Sequence, residues 1–392
     1  MQEAFDSQVS NAHTLHSVAR SVHDTPETEL TLGNSTRRAS SSEYAQLKQL
    51  MKQRGLLDQQ PSYYTYKILF TLTLLVIGLA FLFIVDTFWL QLLNALYLGF
   101  VSMQFGLLGH DIGHRQVFRT SRMSRIAGFL VGDLLVGWSW SWWIDKHNAH
   151  HGHPNQLGLD PDIVRPFTAF TEEVARSRQG IARFGAKYQA YFEFPIYVFS
   201  PMTFLILSIL FLCRKKAKHI LTESLLLTLH YGLYVGLLLW RLSLWQVLLF
   251  IIIHHTFFGL YLGSIGAPNH KGMPIMDQDS PTDFLCQQVL TSRNVKGSPL
   301  VDFWYGGLNY QIEHHLFPTM PRNYLRRAQP LVEAFCKEHA IAYCETSMLQ
   351  SYKEILYFLH QVSAPLREET SSGKPVQGHT SDGVSNTWAT PQ

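Results

Sequence analysis

Polar stretches alternate with long unbroken apolar runs along this chain. Two pairs of runs dominate: Ile68–Val85 with Phe88–Gly109, and His219–Trp240 with Leu244–Ala267. At about 1.5 Å per residue, each reaches across a hydrocarbon core of roughly 30 Å with modest tilt or local thinning. The breaks are short, Asp86-Thr87 and Arg241-Leu242-Ser243. Each pair therefore reads as a hairpin of antiparallel helices.

Two other apolar stretches are not expected to cross. Pro195 and Pro201 interrupt Phe192–Leu212, and a basic run from Arg214 to Lys218 follows at once. Ile126–Trp143, rich in Gly and Trp, reads as interfacial. With four spans, the outer loops hold one basic residue, Arg241, of the 32 Lys and Arg in the chain. This agrees with the excess of Lys and Arg on the cytosolic side of membrane proteins. Both termini, residues 110–218 and everything after 267 then share the cytosolic face. Residues 1–60 are polar and expected to be largely disordered, with a short helix around Tyr44 to Arg54. Residues 61–350 form the membrane domain, and 351–392 a helix end and a disordered tail.

Composition supports this outline. Charged residues make up 16% of the chain, well below a soluble norm of about 25%, and aromatics reach 13%. A mean hydropathy of +0.00 averages apolar spans against polar tails. A net charge of +3 gives no reason to expect nucleic acid as a partner. No Cys-x-x-Cys pair occurs among the four cysteines, and the first twenty residues lack a signal-peptide apolar region.

Nineteen histidines are the outlier. Three clusters fall on the cytosolic face: His110 and His114; His147, His150 and His151; and His314 and His315 with Gln311. Residues three and four apart share a helix face, so each cluster offers one metal two or three side chains. One histidine near a helix end is ordinarily capped or solvated; three clusters at ligand spacing on one face point to metal. Seven imidazoles exceed the needs of one ion, so two are implied. Imidazole suits iron, zinc, copper or nickel. A structural zinc scaffold needs only four closed ligands and favours Cys. His270, just past the fourth span, is read as an extra ligand with Asn269 beside it, and His153 as solvated or supporting. Within the spans, His230 is expected to hydrogen-bond His254 or His255 across the second hairpin.

The clusters resemble the three histidine boxes of membrane fatty acid desaturases. Gly109–His114 with Val117-Phe118, Trp142-Trp143 ahead of His147–His151, Asp160-Pro161-Asp162, and Gly306–Pro318 carry the likeness from about residue 65 to 345. Gln311 in place of the first histidine of the third box marks the front-end subgroup, whose members desaturate between an existing double bond and the carboxyl end, commonly at carbon 6, 5 or 8.

The resemblance implies an all-α integral membrane protein with four transmembrane helices in two hairpins. A cytosolic helical cap would hold two iron ions on His110, His114, His147, His150, His151, His270, His314 and His315. In related acyl-CoA desaturases an Asn four residues before the extra histidine supports a metal-bound water; here that position is Gly266. The implied reaction takes dioxygen and two external electrons, removes hydrogen from two adjacent acyl carbons, and leaves a cis double bond and water. The acyl chain, carried by CoA, phospholipid or a carrier protein, is expected in an apolar tunnel. Trp138, Trp140, Trp142, Trp143 and Trp304 are candidate walls, with interfacial anchoring by lipid as their other reading. No His-Pro-Gly-Gly run of a fused cytochrome b5 occurs in the chain. A separate donor, ferredoxin or free cytochrome b5, is therefore expected, with a bacterial plasma membrane favoured. A hydroxylase or ketolase on the same scaffold is the alternative chemistry.

Overall fold

The computed structural model describes residues 42–371. The expected disorder of residues 1–41 and of the last 21 residues lies outside them. Among the described residues, five helices are long and apolar enough to cross a bilayer. Helix α1 covers residues 42–53. The spans α2 (Pro61–Ile84) and α3 (Phe88–Gly113) form the first hairpin. Gln91 closes it, its amide donating to the carbonyls of Phe81, Leu82 and Val85 at the end of α2, where Phe81 O also accepts from Val85 N. One turn on, Asn94 donates to Gly78 O at 3.1 Å.

After α3 come α4 (Ser121–Gly128), a π-helical turn (Phe129–Val136) and α5 (Trp140–Gly152). Three short helices precede a 3-10 turn (Pro195–Phe199) that runs into α6 (Ser200–Cys213). The second hairpin is α7 (Ile220–Arg241) and α8 (Leu244–His270), with a Ser243–Gln246 capping box at its turn. Exposed Trp89, Trp240 and Trp245 gather at the two hairpin turns, as interfacial anchors do.

The cap follows: α9 (Phe284–Leu290), β1 (Asn294–Val295), α10 (Pro299–Tyr305), α11 (Gln311–Leu316), α12 (Arg322–Glu338), β2 (Glu345–Thr346), α13 (Met348–Val362) and α14 (Ala364–Ser371). The strands β1 and β2 pair in parallel.

The stretch Pro195–Cys213 is helical and long enough to cross, yet its contacts keep it level. Tyr234 OH and His254 Nδ1, 2.6 Å apart, set a common depth for α7 and α8. Tyr197 packs on Gly259 and Gly263, about 8–14 Å from His254. Ser208 Oγ accepts from Ser139 N beside Glu223, about 17 Å from Tyr234. Leu212 then clusters with Leu227. The helix thus runs across the bundle. Connectivity requires the same. His150 precedes it and meets His270 at the end of α8, the side on which α7 begins.

The short helix expected around Tyr44 to Arg54 is present, and Leu47, Met51 and Leu56 are buried against Leu285, Leu316 and Val332 of the cap. One expectation is corrected. The Gly- and Trp-rich stretch is not interfacial throughout: from Phe129 it enters the bundle and returns. Phe129 meets His219, Leu134 O accepts from His230 Nδ1 at 2.8 Å, and Ser139 returns to Glu223. Gly137 turns the loop at φ 88°, where a Cβ would lie 2.6 Å from His230 Nε2.

That loop also changes the pairing expected within the spans. His230 bonds Leu134 O rather than a histidine, and His254 lies between Tyr234 OH and Ser102 Oγ, the latter 3.0 Å away. The re-entrant segment supplies an acceptor that hairpin reasoning alone did not contain.

Candidate metal centre

The eight expected ligands converge where α3 and α8 end. His110 and His114 occupy the last turn and C-cap of α3. Helix α5, capped by Ser139 accepting from Trp142 N at 3.1 Å, aims His147, His150 and His151 inward. His270 ends α8, and His314 and His315 sit on buried α11.

They sort into two groups. His110, His114, His147, His151 and His314 form one, and His150, His270 and His315 the other, with the ligand atoms of each within 4.8 Å of one another. In the first, His114 and His147 bring their Nε2 atoms to 2.8 Å, and His151 and His314 to 3.2 Å. In the second, His270 Nε2 lies 3.2 Å from His150 Nε2 and 3.0 Å from His315 Nε2.

The second group fixes its own tautomers. His270 Nδ1 donates to Thr291 O (2.9 Å), His315 Nδ1 to Gln288 Oε1 (2.8 Å) and His150 Nδ1 to Asp160 Oδ2 (3.0 Å). All three Nε2 atoms then carry lone pairs, with His270 Nε2 at contact distance from the other two and the Gln311 amide the one donor beside them among the described residues. That arrangement repels unless a cation stands between them, and an outer acceptor on the far nitrogen is the usual support of a metal-bound imidazole. The residues therefore fit a metal. In the first group His110, His151 and His314 have buried Nδ1 atoms without partners.

Electrostatics agree. Burial, then neighbouring histidines, lowers the pKa values of His147, His151, His314 and His315, holding them as neutral ligands. His150 goes the other way: burial lowers it, but the Asp160 hydrogen bond and charge outweigh that.

Gln311 stands at the second group, its amide nitrogen 3.0 Å from His270 Nε2, and Asn269 donates to Gln311 Oε1 at 2.9 Å. Gly266 is exposed, and open space lies where its Cβ would be. His153 is exposed and contacts Gln156.

Among the tryptophans, Trp143 stacks on His147 at 4.5 Å between centroids and meets His110 edge-on. Trp138 stacks on Phe258, and Trp140 on Trp143. Trp138, Trp140 and Trp142 are buried in protein. Trp304 lies against Tyr261 and donates to Ser264 Oγ.

Sequence spacing missed several supports. Gln288 and Thr291 come from α9 and its C-cap, in a stretch without motif character. Arg322 forms a buried ion pair with Asp111, beside His110, and donates to Leu107 O. Only the Asp160-Pro161-Asp162 motif gave advance notice of a supporting carboxylate.

The fatty acid desaturase family model matches residues 87–347. An acyl-lipid (9-3)-desaturase of Physcomitrium patens is 29% identical over 336 residues, 83% of this chain and 64% of the relative. The chain thus spans just under two-thirds of that protein's length. A Delta(5) fatty acid desaturase of Caenorhabditis elegans is 30% identical over 76% of this chain and 69% of its own. A Delta(8)-fatty-acid desaturase of Euglena gracilis is 29% identical over 86% of this chain and 82% of its own. With the family model matching the greater part of the sequence and the histidines of all three boxes gathered in one place, the chain belongs to the fatty acid desaturase family.

Proposed function

We propose that this protein is a dioxygen-dependent fatty acyl desaturase of the front-end type, working on an unsaturated acyl chain. The observation that carries the reading is the convergence of eight histidines into two adjoining groups at the base of the spans. The larger group would hold one iron and His150, His270 and His315 the other, with Gln311 beside them. Bound iron supplies the activation of dioxygen that removal of hydrogen from an unactivated methylene demands.

The chain's own residues prepare that centre. Burial favours the neutral form of His147, His151, His314 and His315, and Asp160, Gln288 and Thr291 fix which nitrogen faces inward. Trp143, stacked on His147, excludes water from the larger group and is a wall residue in direct contact with it. Trp138, Trp140, Trp142 and Trp304 continue an aromatic lining. Methylenes carry little recognisable chemistry, so tunnel shape selects the carbon.

The relatives named above act at different positions, Delta(5) and Delta(8) among them, which supports the front-end class and leaves the carbon to the tunnel. The centre lies on the cytosolic side, as the distribution of Lys and Arg favours, with both termini, in a bacterial plasma membrane. The electron donor is a ferredoxin or a cytochrome b5.

The test is expression with a donor, feeding of linoleate, and location of new double bonds by mass spectrometry. A double bond on the carboxyl side of the existing one is expected, lost in His147→Ala and His314→Ala while the protein still inserts. A hydroxyl or keto product would overturn the reading.

A further inference from the structure

Two basic segments meet at the rim of the bundle on the metal side. Helix α4 carries Arg122 and Arg125, and the link from α6 to α7 reads Arg214-Lys215-Lys216-Ala217-Lys218. The ring of Phe129, one turn after Arg125, stands edge-on to His219, next to Lys218, at 5.6 Å. All six cationic side chains are exposed, and none has an ion pair among the described residues. The carboxylates nearest in sequence, Asp133 and Glu223, are fully buried. Glu223 accepts from Ser139 and Ser141, and Asp133 from Trp140 N.

Apolar residues border these charges directly. Met123, Ile126 and Leu130 recur at helical spacing along α4 and its π-helical continuation, and all three are exposed. On the first turns of α7, Leu221 is 84% and Leu225 67% exposed. Both belong to a span, so lipid is what covers them. The helix bearing Arg122 and Arg125 also runs straight into the segment that dips beside α7. Cationic groups therefore crown an apolar wall at the level where acyl chains give way to headgroups. An amphipathic helix with basic residues on one side and Met, Ile and Leu on the other matches that boundary. An acidic soluble protein would match the charge, but not the apolar border.

We propose that this rim binds the headgroups of anionic phospholipids in the leaflet on the metal side. Arg122, Arg125 and the Arg214–Lys218 run supply the charge, and Met123, Ile126 and Leu130 enter the acyl region beneath it.

The full chain in bilayers of phosphatidylcholine, probed with spin-labelled phosphatidylglycerol and spin-labelled phosphatidylcholine, tests this. Phosphatidylglycerol should be enriched several-fold in the motionally restricted population, and 1 M salt should remove the preference, since the screening length there is only about 3 Å. Arg122→Gln with Arg125→Gln, and Lys215→Gln with Lys216→Gln, should each lower the preference, and the four together abolish it. Lys48→Gln with Lys52→Gln, on α1, should leave it unchanged. If the fourfold variant fails to insert, the two pairs are read singly. Equal association of both lipids with the unaltered chain, or a preference that neither pair lowers, would refute the assignment. Loss of donor-driven turnover in these variants with lipid preference intact would point to a protein partner instead.

Discussion

The imidazole of His151 lies flat against that of His315, with 4.1 Å between centroids and 13° between planes. His151 belongs to the larger group and His315 to the smaller, so one stacked pair joins two candidate metal sites. The groups differ in redundancy. Removing His110 leaves four imidazoles in one; removing His315 leaves two in the other.

His315→Ala should therefore lose the metal of the smaller group and bind about half the iron of the unaltered protein, since affinity rests on the assembled ligand set. His110→Ala should retain more. Plasma mass spectrometry on purified, iron-loaded protein measures both. Equal losses would mean that the two groups act as one site.

Asp160 offers a cleaner test of support without ligation. Its carboxylate accepts from His150 Nδ1 and from the backbone nitrogens of Asn155 and Asp162. Asp160→Asn keeps one acceptor oxygen for donors on two sides, turns an NH2 toward the other side and removes the charge, so the anchor of the His150 ring is weakened. Metal affinity or turnover should fall on the order of 10- to 100-fold. Titration of the metal-free variant with ferrous ion checks this, and an unchanged affinity would remove Asp160 from the account.

How much of this was legible in the chain follows from the range over which each feature is encoded. Spacing at three and four residues gave the ligand faces, and apolar run lengths gave the span helices, close at the end of Leu244–His270 (expected at Ala267) but seven residues late at the start of Pro61–Ile84 (expected at Ile68). The partners of the ligands were not legible. Thr291 reaches His270 through a carbonyl, which every residue type possesses. Gln288 lies in an unremarkable helix and meets His315 only because α9 packs against α11. The dip of Phe129–Val136 was hidden for another reason. Its polar contacts with α7 are backbone carbonyls at Leu134 and Gly137, offered to His230 and Tyr231, and no pattern of side chains announces them.

The ion pair between Arg322 and Asp111 predicts a stability effect distinct from catalysis. Both residues are buried, and the pair ties α12 to the end of α3. Arg322→Met leaves a buried carboxylate uncompensated, at a cost of about 3–5 kcal/mol. Adding Asp111→Leu should restore part of that loss, because the stranded charge is then gone. Thermal unfolding in detergent measures the cycle. A double variant as unstable as the sum of the single ones would show that the pair is not coupled.

The level course of Pro195–Cys213 makes the last prediction. Its start rests on α8 with almost no clearance: a Cβ on Gly259 would lie 2.1 Å from Tyr197 O, and one on Gly263 an equal distance from the Tyr197 ring. The Tyr197 ring has a rotamer to change, whereas the carbonyl at Gly259 belongs to the main chain and cannot move alone. Gly259→Ala must push the 3-10 turn off α8, and overpacking of this kind costs about 1–3 kcal/mol. The same displacement would carry Glu193, which pairs with Lys271 directly after His270. The variant should therefore lose both melting temperature and iron, whereas Gly232→Ala, where a Cβ meets nothing within 4 Å, should lose neither. Were Pro195–Cys213 to leave the bundle as an independent span, Gly259→Ala would behave like Gly232→Ala.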